Sequence, residues 1–358
     1  MARKCLRCRH TWSGPISVHE TATSFTPALQ IGPHVLPNAV LLAPMAGITD
    51  APVRRMALRY GAGLVISEMV ASQALLDGHP EMMLRAEGQG VALHAVQIAG
   101  NDPYWMGEAA RVAEAAGAGL IDINMGCPAK RVTTGAAGAA LLRDLPVARR
   151  IIEAVRGAVS VPVTVKTRLG WDEATPTAVE LARIAEASGL ALVTVHGRTR
   201  CQFYTGQADW RAIRAVKVAV RLPVVANGDL VEAGSARAML DQSGADGVMI
   251  GRGAQGRPWF PGQVAATLAC GRVPDPPALD EQRDVLLELY DGWLALYGRE
   301  LGLRQARKHV GWALEAAGGI GSEFTRRWRS RLLTSEDPTA VKAGIAAAYD
   351  ELMWRAAA

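Results

Sequence analysis

Residues 39–50 read Ala-Val-Leu-Leu-Ala-Pro-Met-Ala-Gly-Ile-Thr-Asp. An unbroken apolar run of this length, stopped by Pro44, describes a short strand buried on both faces that leads straight into a loop. In an open doubly wound sheet the first strand runs into a G-x-G-x-x-G turn, and this loop carries no such fingerprint. Gly135-Ala-Ala-Gly138 has a weaker loop spacing and does not immediately follow a strand. The stretch therefore favours a closed barrel over an open sheet.

Seven similar runs follow, at 64–68, 92–98, 120–124, 161–166, 191–196, 223–227 and 247–251. Ala-rich amphipathic segments separate several of them, at 103–116, 146–158, 175–188, 209–220 and 233–243, several with Asp, Asn or Pro near the start and Gly at the end. Eight strands alternating with helices predict a (β/α)₈ TIM barrel of the α/β class over residues 31–262. Strand starts lie 24 to 32 residues apart except the fourth and fifth, which are 41 apart. The added length, between Met125 and Ala139, directly follows a strand end, where barrel active sites form. Beyond Pro258, Pro261, Pro274, Pro276 and Pro277 only helical periodicity remains, so residues 263–358 are expected to form a small all-helical domain. Residues 1–30 read as an N-terminal extension.

Composition sets limits on function. Of 358 residues, 49% are apolar and 20% charged, as in ordinary globular proteins. No apolar run approaches the ~20 residues of a membrane span, and the polar N-terminus lacks a signal-peptide core, so a cytoplasmic protein is expected. The cysteines Cys5, Cys8, Cys127, Cys201 and Cys270 are odd in number and scattered, which argues against a disulfide framework. Cys5, Cys8 and His10 have the spacing of half a zinc knuckle. No second Cys/His pair completes it, and no metal is expected. The net charge of +5 is mildly basic. Its distribution says more: Arg304, Arg307, Lys308, Arg326, Arg327, Arg329 and Arg331 face only Glu315 and Glu323 over residues 304–331. Such a stretch suits phosphate, although a solvated helix face would look the same.

Polar residues gather at the strand ends: Glu68, Gln97, Asn124 with Cys127 beyond it, Lys166 and Arg168, His196 and Arg198, Asn227 and Asp229, then Arg252. A strand buried on both sides seldom ends so by accident. Gly228-Asp229 and Gly251-Arg252-Gly253, after strands seven and eight, occupy the barrel phosphate position. Lys166 offers a cation to a reduced ring, Gln97 and Asn227 offer amides to ring edges, and Pro44 and Met45 offer a soft apolar face. Flavin mononucleotide fits this set better than a bare sugar phosphate, but composition alone does not choose it. Cys127, flanked by Gly and Pro on the enlarged loop, is a candidate general acid, since a thiol is mostly protonated at neutral pH. A small buried hydrophobe is the alternative.

The motifs Ala43–Asp50, Val96-Gln-Ile98, Asp122-Ile-Asn-Met-Gly-Cys-Pro128, Val165-Lys-Thr-Arg168, Val195-His-Gly-Arg-Thr199, Ala226-Asn-Gly-Asp229 and Ile250-Gly-Arg252 occur in that order. Together they resemble the tRNA-dihydrouridine synthase family, and most its bacterial B-type branch, over about residues 30–335. The resemblance implies an FMN flavoenzyme using NADPH as reductant, an oxidoreductase that saturates the C5=C6 bond of a D-loop uridine in tRNA. It implies hydride delivery to C6 and protonation of C5 by Cys127. It implies cofactor contacts from Pro44, Met45, Ala46, Gln97, Lys166, His196, Asn227, Gly228, Asp229, Gly251 and Arg252, and a uracil pocket lined by Asn124, Arg168 and Arg198. It further implies that the helical domain binds tRNA through Arg304, Arg307, Lys308 and His309; a monomeric protein is expected. The rival readings are a free-pyrimidine reductase of the dihydroorotate dehydrogenase kind and a non-catalytic RNA-binding protein that kept the barrel. The reductase would not need the basic helix, and the binding protein would not need Cys127 or Lys166.

Overall fold

The computed structural model describes residues 28–358. The Cys5, Cys8 and His10 group lies outside the described residues. The strands are β1 (Gln30–Ile31), β2 (His34–Val35), β3 (Val40–Leu42), β4 (Leu64–Val65), β5 (Val70–Ala71) and β6 (Ala95–Ala99). They continue as β7 (Leu120–Met125), β8 (Val163–Arg168), β9 (Leu192–His196), β10 (Val224–Asn227) and β11 (Gly247–Ile250).

All the pairings from β3 to β11 are parallel, and β11 returns to pair with β3, so the predicted barrel is present. Closure runs through Ile66, whose bridge to Ala95 joins the line of β4 to β6. Pairing resumes at Val70 opposite Ile98, so Ser67, Glu68 and Met69 stand against only Val96 and Gln97. That is a β-bulge, and it splits one barrel strand into β4 and β5. Ser67 repairs the ladder: its N–H donates to Ala95 at 2.9 Å and its hydroxyl oxygen accepts from the Gln97 N–H at 2.9 Å.

Side chains alternate across each strand, so one sequence serves two cores. Leu41, Leu64, Ala95, Leu120, Leu192, Val225 and Met249 fill the barrel's lower interior, together with Ile31 and Leu36 of the β1–β2 hairpin, which plugs that end. Their neighbours, such as Val40, Ile121, Val193 and Val224, pack outward against the helices. Leu29 is buried and Gln30 opens β1, so the barrel begins slightly inside the expected extension.

Helices start on a recurring device. Asp50, Asp102, Asp144, Asp209 and Asp337 each accept a backbone N–H as N-cap, usually with proline in the first turn. Each such cap is worth about 1 kcal/mol. The expected junction at 262/263 falls inside the helix Phe260–Cys270, which packs on β3 and on the helix Ala51–Arg59 as the last barrel helix. The connector to the helical domain is therefore 271–278. The helix Leu279–Gly318 breaks at Gly298 (φ 72°, ψ 176°). Beyond the break the chain folds back, because Trp293 stacks on His309 with centroids 4.4 Å apart. On a straight helix, 16 residues would separate them by about 24 Å. The helices Glu323–Leu332 and Pro338–Ala357 complete the domain.

Candidate active site

The alternation that builds the lower core also builds the site. Above Ala95 on the same face comes Gln97; above Leu120 come Asp122 and Asn124; above Leu192 come Thr194 and His196; above Val225 comes Asn227. On β8 the inward set is Thr164, Lys166 and Arg168, in register with Asp122, Asn124 and His196. The barrel is apolar at its closed end and polar at the end where the strands finish. Above this polar layer opens a cavity of about 480 Å³. Cys127, Pro44, Met45, Ala46, Gln97, Asn124, Lys166, Arg168, His196, Asn227, Gly228, Asp229, Gly251 and Arg252 all line it.

Two hydrogen-bond chains line the mouth. Gln97 donates to Asp122 at 2.7 Å and accepts from Asn124 at 2.8 Å. Thr164 donates to the other Asp122 oxygen at 2.6 Å. Lys166 donates to Asn227 Oδ1 at 3.0 Å, and Asn227 donates to the Met249 carbonyl at 2.8 Å. The amide orientations follow from this: each oxygen faces a donor and each NH₂ an acceptor. Asp122 and Thr164 were not expected at the site, although their two-residue offset from Asn124 and Lys166 put them on its face.

The Cys127 loop is held at two points. Asn124 Oδ1 accepts from the N–H groups of Gly126 (3.2 Å) and Cys127 (3.0 Å). Arg168 Nε donates to the Gly126 carbonyl at 2.8 Å, and its Nη1 donates to the carbonyls of Thr199 and Phe203 at 2.8 and 2.9 Å. Asn124, expected as a substrate contact, thus spends two of its three hydrogen bonds on the loop that carries the thiol, and Arg168, also expected there, ties that loop to the carbonyls of Thr199 and Phe203. Cys127 is half-buried.

At the other end, Gly228 (φ 121°) and Asp229 (φ 54°) turn the chain sharply. A Cβ at Gly228 would stand 2.9 Å from the His196 ring, so only glycine allows the two to meet. At Gly251 the backbone itself forms the wall beside Met45, whose sulfur would lie 3.6 Å from an added Cβ. Asp229 carries two arginines: Arg198 at 2.5 Å and Arg252 at 3.0 Å. Arg252 is 48% exposed and faces the cavity, whereas Arg198 is 1% exposed. Arg198 was expected to line a uracil pocket. It lies instead behind the cavity wall, donating to Asp229 and to the carbonyls of Thr205 and Gly206, because these acceptors surround its guanidinium completely. Tyr204, also unforeseen, stands at the rim with Arg168 and Arg252 over its ring at 5.5 and 4.9 Å.

Burial controls the charges. It pushes the Lys166 ammonium down to about 8, assisted by the nearby Arg168. Burial, with Lys166, Arg168, Arg198 and Arg252 adding to it, holds His196 well below its usual range, so its imidazole is neutral. Its Nε2 lies 3.4 Å from Arg198 Nη1, a group that can only donate, which leaves the proton on Nδ1. Burial raises the Asp122 carboxyl against the bonds from Thr164 and Gln97.

The basic stretch is partly consumed internally. Arg329 pairs with Glu315 at 2.6 Å, and Arg327 with Glu351. Arg304 is exposed, while Arg307 and Lys308 are half-buried. His309 was expected to touch RNA, but it is buried, stacked on Trp293 and edge-on to Trp312. The reversal at Gly298 turns it inward. Among the described residues there is no cluster of three metal-ligating side chains and no helix long and apolar enough to cross a membrane.

Comparison with known proteins agrees with this architecture. The sequence model of the family described as "Dihydrouridine synthase (Dus)" matches residues 41–352. A protein of Rhodobacter capsulatus named "Probable tRNA-dihydrouridine synthase" is 54% identical over 314 residues, covering 87% of this chain and 95% of that protein. "tRNA-dihydrouridine synthase B" of Pseudomonas putida is 46% identical, covering 90% of this chain and 95% of that one. Among solved structures, 6-hydroxypseudooxynicotine amine oxidase from Pseudomonas geniculata N1 superposes with a TM-score of 0.51 at 16% identity. That match covers 73% of this chain and 52% of the oxidase, a likeness of fold.

Proposed function

From the premise that the chain belongs to the dihydrouridine synthase family, we propose that it is a tRNA-dihydrouridine synthase that reduces a D-loop uridine with FMN, NADPH and Cys127. One observation carries the reading: a single cavity joins Cys127 to Lys166, Asn227, Gly228, Gly251 and Arg252.

The residues fit an FMN. The volume lies within the ~300–1,000 Å³ typical of cofactor sites. Pro44, Met45 and Ala46 supply an apolar face. Lys166, Gln97 and Asn227 supply polar groups for ring edges, with neutral His196 beside them. The glycine turns and Arg252 supply the phosphate end, where Asp229 orients the Arg252 guanidinium. When bound and reduced by NADPH, FMN supplies the hydride equivalent that C6 of the uracil ring receives.

The protein's own task is the proton. Cys127 gives its Sγ proton to C5, and Asn124 and Arg168 hold the loop so that the thiol meets that atom. A uridine inside folded RNA must leave its stack to enter the cavity. The exposed cation Arg252 and the aromatic Tyr204 form the entrance, while Arg304, Arg307 and Lys308 grip the phosphate backbone without reading sequence.

Purified protein reconstituted with FMN tests the reading. It should turn yellow and, with NADPH, form dihydrouridine in tRNA isolated from cells lacking this enzyme. Cys127→Ala should keep the flavin and lose about 10²–10⁴-fold in rate, the usual contribution of a positioned acid. A protein that takes up no flavin would overturn the proposal.

A further inference from the structure

The turn that begins at Met45, on the cavity wall, leads to Asp50, where the barrel and the C-terminal helices meet. The Asp50 carboxyl is 3% exposed. Its Oδ1 accepts from the Val53 N–H at 3.3 Å, as N-cap of Ala51–Arg59, and from the Trp293 indole at 3.3 Å. Its Oδ2 accepts from the Tyr297 hydroxyl at 3.1 Å. Trp293 and Tyr297 lie one turn apart, immediately before the reversal at Gly298. After the reversal the chain returns over the same wall, and Lys308 Nζ would lie 3.4 Å from a Cβ at Gly47.

The wall itself is one compact turn. Met45 N–H donates to Thr49 Oγ1 at 2.8 Å, and the N–H groups of Ile48 and Thr49 donate to the Met45 carbonyl at 2.9 and 3.0 Å. Gly47 N–H donates to the buried Glu68. A turn bonded to itself in this way shifts as a unit, and its Met45, Ala46 and Ile48 line the cavity. Capping a helix requires only the bond to Val53. A buried carboxyl that takes two further donors from another domain ties the position of the turn to that domain.

We propose that Asp50 is a positioning residue: gripped by Trp293 and Tyr297, it fixes the Met45–Ile48 wall, so the C-terminal helices set the barrel's affinity for its ring cofactor. This rests on the flavin reading above. It assigns the helical domain a task separate from holding RNA.

The test uses the full-length protein freed of flavin, titrated with FMN by fluorescence quenching and, separately, with tRNA by filter binding. Asp50→Ala should weaken FMN binding about tenfold, the effect of losing roughly 1.4 kcal/mol of wall support, with tRNA affinity unchanged. Asp50→Asn should restore FMN binding, because Oδ1 still accepts from Val53 and Trp293 while Nδ2 donates to the Tyr297 oxygen. Asp102→Ala removes a cap of the same kind from a helix without this grip. It should lower the melting temperature by the worth of one exposed cap and leave FMN binding intact. Unchanged FMN affinity in Asp50→Ala, equal weakening in Asp102→Ala, or failure of Asp50→Asn to rescue would each overturn the inference. If Asp50→Ala does not fold, Tyr297→Phe removes one of the two donors and keeps its phenyl ring, and its FMN affinity decides in the same way. Wild-type protein that binds no FMN would defeat the flavin reading itself; normal binding in the variants defeats only the positioning role.

Discussion

The side-chain oxygen of Asn124 accepts the backbone N–H of Cys127 at 3.0 Å, and its amide nitrogen donates to Gln97 at 2.8 Å. The residue thus links the thiol loop to the polar layer of the barrel. Asn124→Ala should lower single-turnover dihydrouridine formation by about 10²-fold, the effect expected of roughly 1 Å of misplacement. Flavin content should be unchanged. Wild-type turnover in that variant would show that the loop holds Cys127 without it.

Lys166 makes the site sensitive to pH. Its ordinary value is 10.5 and burial lowers it to about 8. Between these values the unfolded chain binds a proton that the folded chain does not, so the flavin-free protein gains stability as pH rises through that window. The same deprotonation removes a cation from the cavity, so FMN affinity should fall above about pH 8. Denaturant midpoints and FMN titrations across the window measure both trends. Lys166→Met should flatten them; unaltered trends in that variant would assign them to another group.

The two arginines on Asp229 should behave differently. Arg198→Met leaves the carboxylate and two loop carbonyls without their buried partner, at about 3 kcal/mol. Arg252→Ala removes an exposed pair worth at most about 1 kcal/mol, yet takes away the cation proposed for the FMN phosphate. Urea midpoints and FMN affinity should therefore move in opposite order for the two variants. A larger stability loss for Arg252→Ala would contradict the assignment.

The helical domain offers a parallel contrast. Arg304→Ala should reduce the slope of log Kd for tRNA against log salt by about 1, as loss of one phosphate contact does. His309→Ala should leave that slope alone and lower the melting temperature, because the ring is packed on Trp293. An equal change of slope in both variants would place His309 at the RNA surface after all.

These contrasts mark where the sequence was readable. The eight strand positions were legible because burial on both faces leaves continuous apolar runs. Inward polar residues were legible at strand ends, and the two-residue period extends the set to Asp122 and Thr164. Arg198 was misread because an arginine after a strand looks the same whether it faces a cavity or a wall; only the folded 200–206 loop supplies its acceptors. His309 was misread because its neighbours are basic, and nothing local announces that Gly298 folds the helix back on itself. The bulge at Ser67–Met69 was missed for the same reason: the extra residue is visible only against β6.

The central claim is that Cys127, held by Asn124 and Arg168 at this barrel mouth, protonates a uridine of tRNA. The most direct test is sequencing-based mapping of dihydrouridine in tRNA from cells lacking this protein, complemented with the wild-type chain or with Cys127→Ala. Loss of dihydrouridine at a D-loop position, restored by the wild type and not by the variant, is the predicted result. An unchanged dihydrouridine map in the deletion, or full restoration by Cys127→Ala, would contradict it.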